Sequence, residues 1–326
     1  MERCPPEILS QIFYYTCADG GFAGSALSAT SRYIREVSAE SRYHSVALQG
    51  YRQITAFCIM LADSPPINLR HLFISLNENI GVAGSESGDE VSKADVLYDF
   101  AHESEKIKAM VRLLLRVASS LENLALVISK ADDLNLPIIP PLQLTALKDF
   151  TLVIPLKHPR DWPNSLSPRR LNGVLGQTSI RRVHVATPER LTLNTAYYAK
   201  YAPYLADLRI SSVADEAVYD TIRNQDREQD EQVANALWEL FDPLPQSTKR
   251  ISLHLAQSPH SDDEGWEALR PIAAALQERA EALGGDRTFT FIDNSRYTSP
   301  YDERDAYRDW LDVASGGNGC WGAKPL

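Results

Sequence analysis

The side chains that could act in catalysis or bind a metal ion are scattered along this sequence. The seven histidines never stand four residues apart, and the four cysteines, at positions 4, 17, 58 and 320, never occur at C-x-x-C spacing. Neither residue type therefore predicts a zinc site. The densest group, His260-Ser261-Asp262-Asp263-Glu264, is interpreted as a solvated acidic turn. Since catalytic and nucleotide-binding motifs such as G-x-S-x-G, H-E-x-x-H and the P-loop are also absent from the sequence, we expect a non-catalytic protein with no cofactor and no metal ion.

Composition narrows the classes of partner. The chain has 326 residues, a net charge of −10 and a pI near 5.3, which disfavours binding to nucleic acid or to an anionic membrane. No apolar run reaches membrane-spanning length, and the first residues lack the layout of a signal peptide. With no paired cysteines, a cytoplasmic or nuclear setting is expected.

A short apolar pattern recurs along most of the chain. The pattern Φ-x-x-Φ-x-Φ, in which Φ is apolar, begins at residues 43, 69, 121, 147, 180 and 205, and weaker copies begin at 248 and 286. The alternating second half of each copy predicts a strand, and apolar residues at helical spacing fill several intervals, as in 51–61, 107–118 and 233–241. Strands separated by helices favour parallel pairing. The alternative is an ordinary α/β domain whose strands happen to begin with an apolar residue.

Strand alternation also predicts a binding surface. The third and fifth positions of each copy should face away from the apolar core, and in a curved solenoid that side is the concave surface. There we expect three arginines on consecutive strands to attract an acidic or phosphorylated segment of a target protein. The candidate target-binding residues are His71, Phe73, Arg182, His184, Arg209, Arg250 and His254. Ordinary surface charge, partly neutralised by Asp207, is the alternative.

The first forty residues predict two short amphipathic helices. Pro5 and Pro6 suit a helix entrance, and Glu7 suits the positive end of the helix dipole. An apolar stripe of Ile8, Leu9, Ile12 and Phe13 follows, and a second helix carries Leu27, Thr30, Ile34 and Val37 at helical spacing. Helices this short need a packing partner, so we expect the first stripe to be exposed for docking.

These residues resemble the F-box, the module of cullin-RING ubiquitin ligases that binds a Skp-type adaptor. The matching positions are Pro5, Pro6, Glu7, Ile8, Leu9, Ile12, Phe13, Leu27, Ser31, Arg32 and Arg35. Ile34 stands where the family has Trp, Thr30 where it has Val, and Cys4 where it has Leu. The resemblance implies that residues Pro5, Pro6, Glu7, Ile8, Leu9, Ile12, Phe13, Leu27, Ser31, Arg32 and Ile34 bind the adaptor. The alternative is that residues 5–37 only cap the end of the repeats.

The repeat of about 26 residues resembles leucine-rich repeats. Only Asn77 holds the family's Asn or Cys position, so the solenoid should be irregular. The expected fold is α/β: an F-box-like helical module at 1–42, an irregular leucine-rich-repeat-like solenoid with a parallel sheet at 43–313, a mobile loop at 77–95, and a flexible tail at 314–326.

The chain thus resembles fungal F-box-like proteins, which implies a substrate receptor of an SCF-type ubiquitin ligase, with a Skp-type adaptor, a cullin and an unknown target as partners. A leucine-rich-repeat scaffold without a ligase is the main alternative, and an enzyme with an unrecognised site is a distant third.

Overall fold

Each copy of the apolar pattern forms a strand that begins two residues after the pattern does. The computed structural model describes residues 4–62, 67–77, 105, 108–128, 144–154, 179–186, 202–213, 234–235, 237–239, 241–255, 269–282, 286–292 and 301–322. The strands are β1 (Ser45–Gln49), β2 (His71–Ser75), β3 (Asn123–Val127), β4 (Asp149–Val153), β5 (Arg182–Ala186), β6 (Asp207–Val213), β7 (Arg250–Leu255) and β8 (Thr288–Phe291).

The eight strands form one parallel sheet in chain order, from β1 to β8. The register aligns the same motif position in neighbouring strands: Leu124 pairs with Phe150, and Phe150 pairs with Val183. The prediction of an α/β fold with a parallel sheet is therefore confirmed.

The apolar positions of the pattern face the main core. Leu124, Leu126, Phe150 and Leu152 are buried, as predicted. The described helices on this side include α4 (Gly50–Ala62), α5, which includes residues 108–117, and α6 (Leu269–Ala282), and helical residues at 234–235 and 237–239 also pack there. Within 107–118, helical spacing predicts Leu115 on the same apolar face as Met110 and Leu114, but Leu115 is exposed and Leu113 is buried instead.

The N-terminal region forms three helices where the pattern predicted two. Helix α1 spans Pro6–Thr16, α2 spans Phe22–Thr30 and α3 spans Arg32–Val37. The break falls at Ser31, whose backbone is extended and whose hydroxyl accepts a hydrogen bond from the Ile34 amide at 3.2 Å. Serine is a favoured N-cap because its oxygen satisfies an amide that the helix leaves unpaired. Helix α2 packs so closely on the turn after α3 that a Cβ at Gly24 would lie 2.1 Å from the Arg42 carbonyl oxygen.

The C-terminal region is ordered over its described residues. Helix α7 spans Glu303–Ala314, and a 3₁₀ helix spans Gly319–Gly322, with Cys320 buried. The prediction of a flexible tail at 314–326 is therefore wrong as far as residue 322. The predicted mobile loop at 77–95 lies outside the described residues except for Asn77, and in the described part of the chain no helix is long and apolar enough to cross a membrane.

Truncating a core side chain of the repeat tests this packing. Leu152 is buried in the main core, so Leu152→Ala should lower the free energy of unfolding by about 2–5 kcal/mol through the lost contacts and the cavity left behind. Urea unfolding would measure the loss. The control is Ile59→Ala in α4, where the side chain is exposed and the change should stay within about 0.5 kcal/mol. Equal effects for the two variants would contradict the described core.

Candidate functional site

Helix α1 divides its apolar residues between two faces. Ile8 and Ile12 are 46% and 47% exposed, and Tyr15, one turn further on, is 78% exposed. Their spacing of four and three residues places them on one side of the helix. Ile8, Ile12 and Tyr15 are here called the exposed apolar face of α1. This face contains two of the four residues of the predicted docking stripe.

The other half of the predicted stripe lies inside the helical module. Leu9 and Phe13 are buried together with Ile34 of α3, and Cys4, Leu27 and Val37 pack against them. The expectation that Leu9 and Phe13 would be exposed with Ile8 and Ile12 is therefore wrong. The reason is that α2 and α3 fold back on α1 and provide a small core that two helices alone could not form.

The remaining candidate adaptor residues stand mostly at the surface. Pro5, Pro6, Glu7, Ser31 and Arg32 are exposed, and Leu27 is half-buried. Arg32 forms an ion pair with Glu36 one turn away, at 3.0 Å. Such exposed pairs contribute little to stability. Sequence reasoning missed Tyr15, although its helical spacing from Ile8 and Ile12 could have identified it.

The loop between α1 and α2 attaches the helical module to the first edge of the sheet. The Ala47 amide of β1 donates to the Gly20 carbonyl at 3.1 Å. The Ser45 hydroxyl donates to the Cys17 carbonyl at 2.7 Å and accepts from the Gly20 amide at 3.0 Å. Gly20 has a φ of +81°, a conformation that favours glycine. The module therefore covers an edge whose backbone groups would otherwise invite another strand.

The opposite face of the sheet is not open in the way the pattern predicted. A segment formed by residues 301–322, here called the C-terminal segment, lies across it, with α7 against β2, β3 and β4. Phe73 contacts Tyr307 and Trp310, with ring centroids 5.1 and 5.8 Å apart. Buried small residues from β3, β4 and β5 complete this contact: Ala125, Val127, Val153 and Ala186. Asn123, expected to be exposed, is also buried.

Four of the predicted target-binding residues are therefore buried: Phe73, His184, Arg209 and His254. Arg209 donates from Nη1 to the Cys320 carbonyl and from Nε to the Ser211 hydroxyl at 3.2 Å. His184 Nε2 shares a hydrogen bond of 2.9 Å with that same hydroxyl. Burial holds the pKa of His184 well below its usual range, and the charge of Arg209 lowers it further. The expectation that these four side chains lie on an open surface is wrong. Phe73, His184 and Arg209 contact the C-terminal segment, which is distant from them in sequence.

The other two arginines of the predicted patch have internal partners. The Arg182 guanidinium forms a two-point ion pair with Asp149 of β4, and its Nη2 lies 2.7 Å from Oδ2. Arg250 binds Asp207 of β6 in the same way, at 2.6 and 2.9 Å. The in-register strands thus carry an alternating charge ladder: Asp149, Arg182, Asp207 and Arg250. The Arg250 side chain is exposed. However, the guanidinium groups of Arg182 and Arg250 both bind carboxylates, so neither is free for the predicted phosphate.

His71, the last predicted target residue, lies where the helical module meets the sheet. Its ring is 5.0 Å from that of His44, which contacts the Tyr14 ring at 4.2 Å. Arg70 lies beside the pair and donates to the Tyr14 hydroxyl at 3.2 Å. Burial lowers the pKa of both histidines to about 4; the positive charge of Arg70 acts in the same direction, and the Glu122 carboxylate opposes it.

Acid should weaken the fold through this histidine pair. In the unfolded chain each imidazole has a pKa near 6.5, whereas in the folded chain the value is about 4. The stability that they contribute is complete above pH 6.5 and is lost as the pH falls towards 4. Between pH 7 and pH 5 we expect the double variant His44→Gln with His71→Gln to lose roughly 3–4 kcal/mol less of its free energy of unfolding than the wild type, measured by urea unfolding. His184 remains in both proteins, so the difference isolates the pair. Parallel losses would contradict the assignment.

Among the residues that the structure describes, no three His, Cys, Asp or Glu side chains come together as a metal site. Neither the protein-family models nor the curated proteins and solved structures contain a match to this chain.

Proposed function

We propose that this protein is a substrate-recognition subunit of an SCF-type ubiquitin ligase, in which the N-terminal helices bind a Skp-type adaptor attached to a cullin. The observation that carries the proposal is the exposed apolar face of α1. Three large apolar side chains remain in water on a helix whose other side is fully packed. Single exposed apolar residues are ordinary, but a group at helical spacing on one helix is typical of a surface that another protein covers.

The interior of the helical module also supports this proposal. Leu9, Phe13 and Ile34 hold the three helices together without using Ile8 or Ile12. The module therefore keeps its shape and presents these two isoleucines at the same time. Position 34, where the F-box family has Trp, is a buried isoleucine here, so its role in this chain is to support α1 rather than to touch an adaptor.

The rest of the chain supports a leucine-rich-repeat-like solenoid as the target-binding part. The strands follow one another in chain order, and each repeats the same motif position at the same place in the register. The side with the helices holds the main core. A sheet built one unit at a time in this way is typical of solenoids, whose strand face binds partners.

A second function is favoured by a different observation. The hydrogen bonds that join Ser45 and Ala47 to the Cys17–Gly20 loop show that the helical module also covers a sheet edge. If covering that edge is its whole role, the protein is a leucine-rich-repeat interaction scaffold without a ligase. Adaptor binding distinguishes the two functions.

Charges on the exposed face of α1 should prevent adaptor binding. We expect Ile8→Asp with Ile12→Asp to reduce capture of a co-expressed Skp-type adaptor at least a hundredfold, because each buried carboxylate would cost several kcal/mol in an apolar interface. Both side chains are about half exposed in the free protein, so the melting temperature should barely change. Phe13 is left intact because it is buried in the module, and its replacement would confuse unfolding with loss of binding.

The matched control is Ile59→Asp with Leu115→Asp, which places the same charges on exposed apolar residues outside the helical module. It should capture adaptor as the wild type does. Capture that is unchanged in the α1 variant would refute the proposed surface. A wild-type protein that binds no adaptor would instead favour the scaffold.

A further inference from the structure

The C-terminal segment is bound to the sheet as a ligand would be. Tyr301, Ala306 and Trp310 supply its apolar side, and they contact side chains from β2 to β5. At one end the Asn77 amide nitrogen donates to the Glu303 carboxylate at 2.7 Å, and at the other Arg209 holds the Cys320 carbonyl. Apolar contacts flanked by polar anchors are typical of a peptide-binding surface.

The segment can leave this surface without breaking the sheet. Each of the eight strands pairs only with its neighbours in the sheet, and none of them pairs with residues 301–322. The apolar residues under the segment also form a cluster separate from the much larger main core on the other face. Undocking would therefore expose a limited apolar area and leave the repeat architecture in place.

The segment also carries much of its own order. Asp302 caps α7 by accepting from the Arg304 and Asp305 amides at 2.8 and 3.0 Å. The Tyr301 hydroxyl donates to Asp309 at 3.0 Å, and Arg308 pairs with Asp305 at 2.6 Å. Local caps and pairs of this kind favour helix formation before docking.

The charge of Arg209 favours the same location, whereas Arg182 is already paired with Asp149. Residues 301–322 contain five acidic side chains and two basic ones, a net charge of −3. The face beneath them contains Arg209, and Arg182 lies with its guanidinium carbon 5.8 Å from the Trp321 ring centroid. Burial of Glu303, Asp305 and Asp309 also weakens the net attraction, because buried carboxylates lose their hydration. The polar groups of the segment therefore make its contact with the sheet face chemically selective, but they stabilise it less than the apolar residues of a core would.

We propose that the face of β2–β6 is a docking site for an acidic amphipathic helix with a tryptophan on its apolar side, and that the C-terminal segment occupies it until a target supplies such a helix. The inference rests on the proposed function in one respect, that the sheet face receives the target. It replaces the phosphate site predicted from the arginines with a helix-binding surface. The chain's own segment defines the ligand: a tryptophan over Phe73, an acidic residue at Asn77, and a backbone carbonyl at Arg209.

The test uses the full chain and a fluorescent synthetic peptide of residues 301–322. In the wild type the attached segment competes at an effective concentration on the order of millimolar, so the peptide should bind weakly. Trp310→Glu should release the segment and bind the wild-type peptide at least tenfold more tightly, measured by fluorescence anisotropy. A peptide carrying the same Trp310→Glu change should not bind to either protein.

The control is Arg304→Glu, which introduces the same side chain at an exposed position of α7 and should bind the peptide as weakly as the wild type. Equal peptide affinity for the wild type and a folded Trp310→Glu variant would overturn the proposal. Adaptor capture, measured on the same samples, should be unaffected by Trp310→Glu. Failure of the peptide experiment therefore remains distinguishable from failure of the ligase proposal.

Hydrogen exchange on the wild type decides the question if Trp310→Glu does not fold. The amides of α7 should exchange at least tenfold faster than those of β3 and β4, because the segment opens while the sheet stays paired. Exchange of α7 at the same rate as those strands would mean that the segment leaves only when the sheet unfolds, and would overturn the proposal.

Discussion

The common register of the eight parallel strands is the constraint on which the other features depend. Since each strand begins at the same motif position, the apolar residues of the pattern align with one another across the sheet, and the residues between them align with one another as a second set. Pleating then sends the two sets to opposite faces. The main core, the charge ladder and the surface under the C-terminal segment are all results of this alignment, and a shift of one residue in any strand would exchange its two faces.

The sequence predicts the strands well and their surroundings poorly, for a physical reason. The spacing of apolar residues within a copy of the pattern indicates which residues share a face of the sheet. This spacing predicts the positions of all eight strands, including β7 and β8, whose copies lack the first apolar residue. It does not report what covers a face, which depends on residues far away in sequence. Val127, Val153 and Ala186 already marked the second face as partly apolar. Together with the amphipathic stretch around Trp310, they could have indicated a buried face, because parallel sheets are generally covered on both sides.

The N-terminal helices show the same limit at a smaller scale. The pattern identifies α1 and its apolar residues, but a stripe containing Ile8, Leu9, Ile12 and Phe13 is too wide for one neighbour. The structure divides it, because the chain turns back at Ser31 and only one side of α1 meets α3. One helix can therefore stabilise its own module and cover the β1 edge through the following loop, while Ile8 and Ile12 stay exposed on its other face.

The charge ladder has a consequence for how the chain assembles. Asp149, Arg182, Asp207 and Arg250 alternate in sign along consecutive strands, so every correct neighbour is an attractive one. Repeats of similar sequence can pair out of order during folding, and such errors are a common hazard of repetitive chains. If β5 were skipped, Asp149 would face Asp207, and if β6 were skipped, Arg182 would face Arg250. Both errors would place like charges side by side in a partly buried row. The alternation of charge therefore disfavours a wrong order of strands as well as a wrong register.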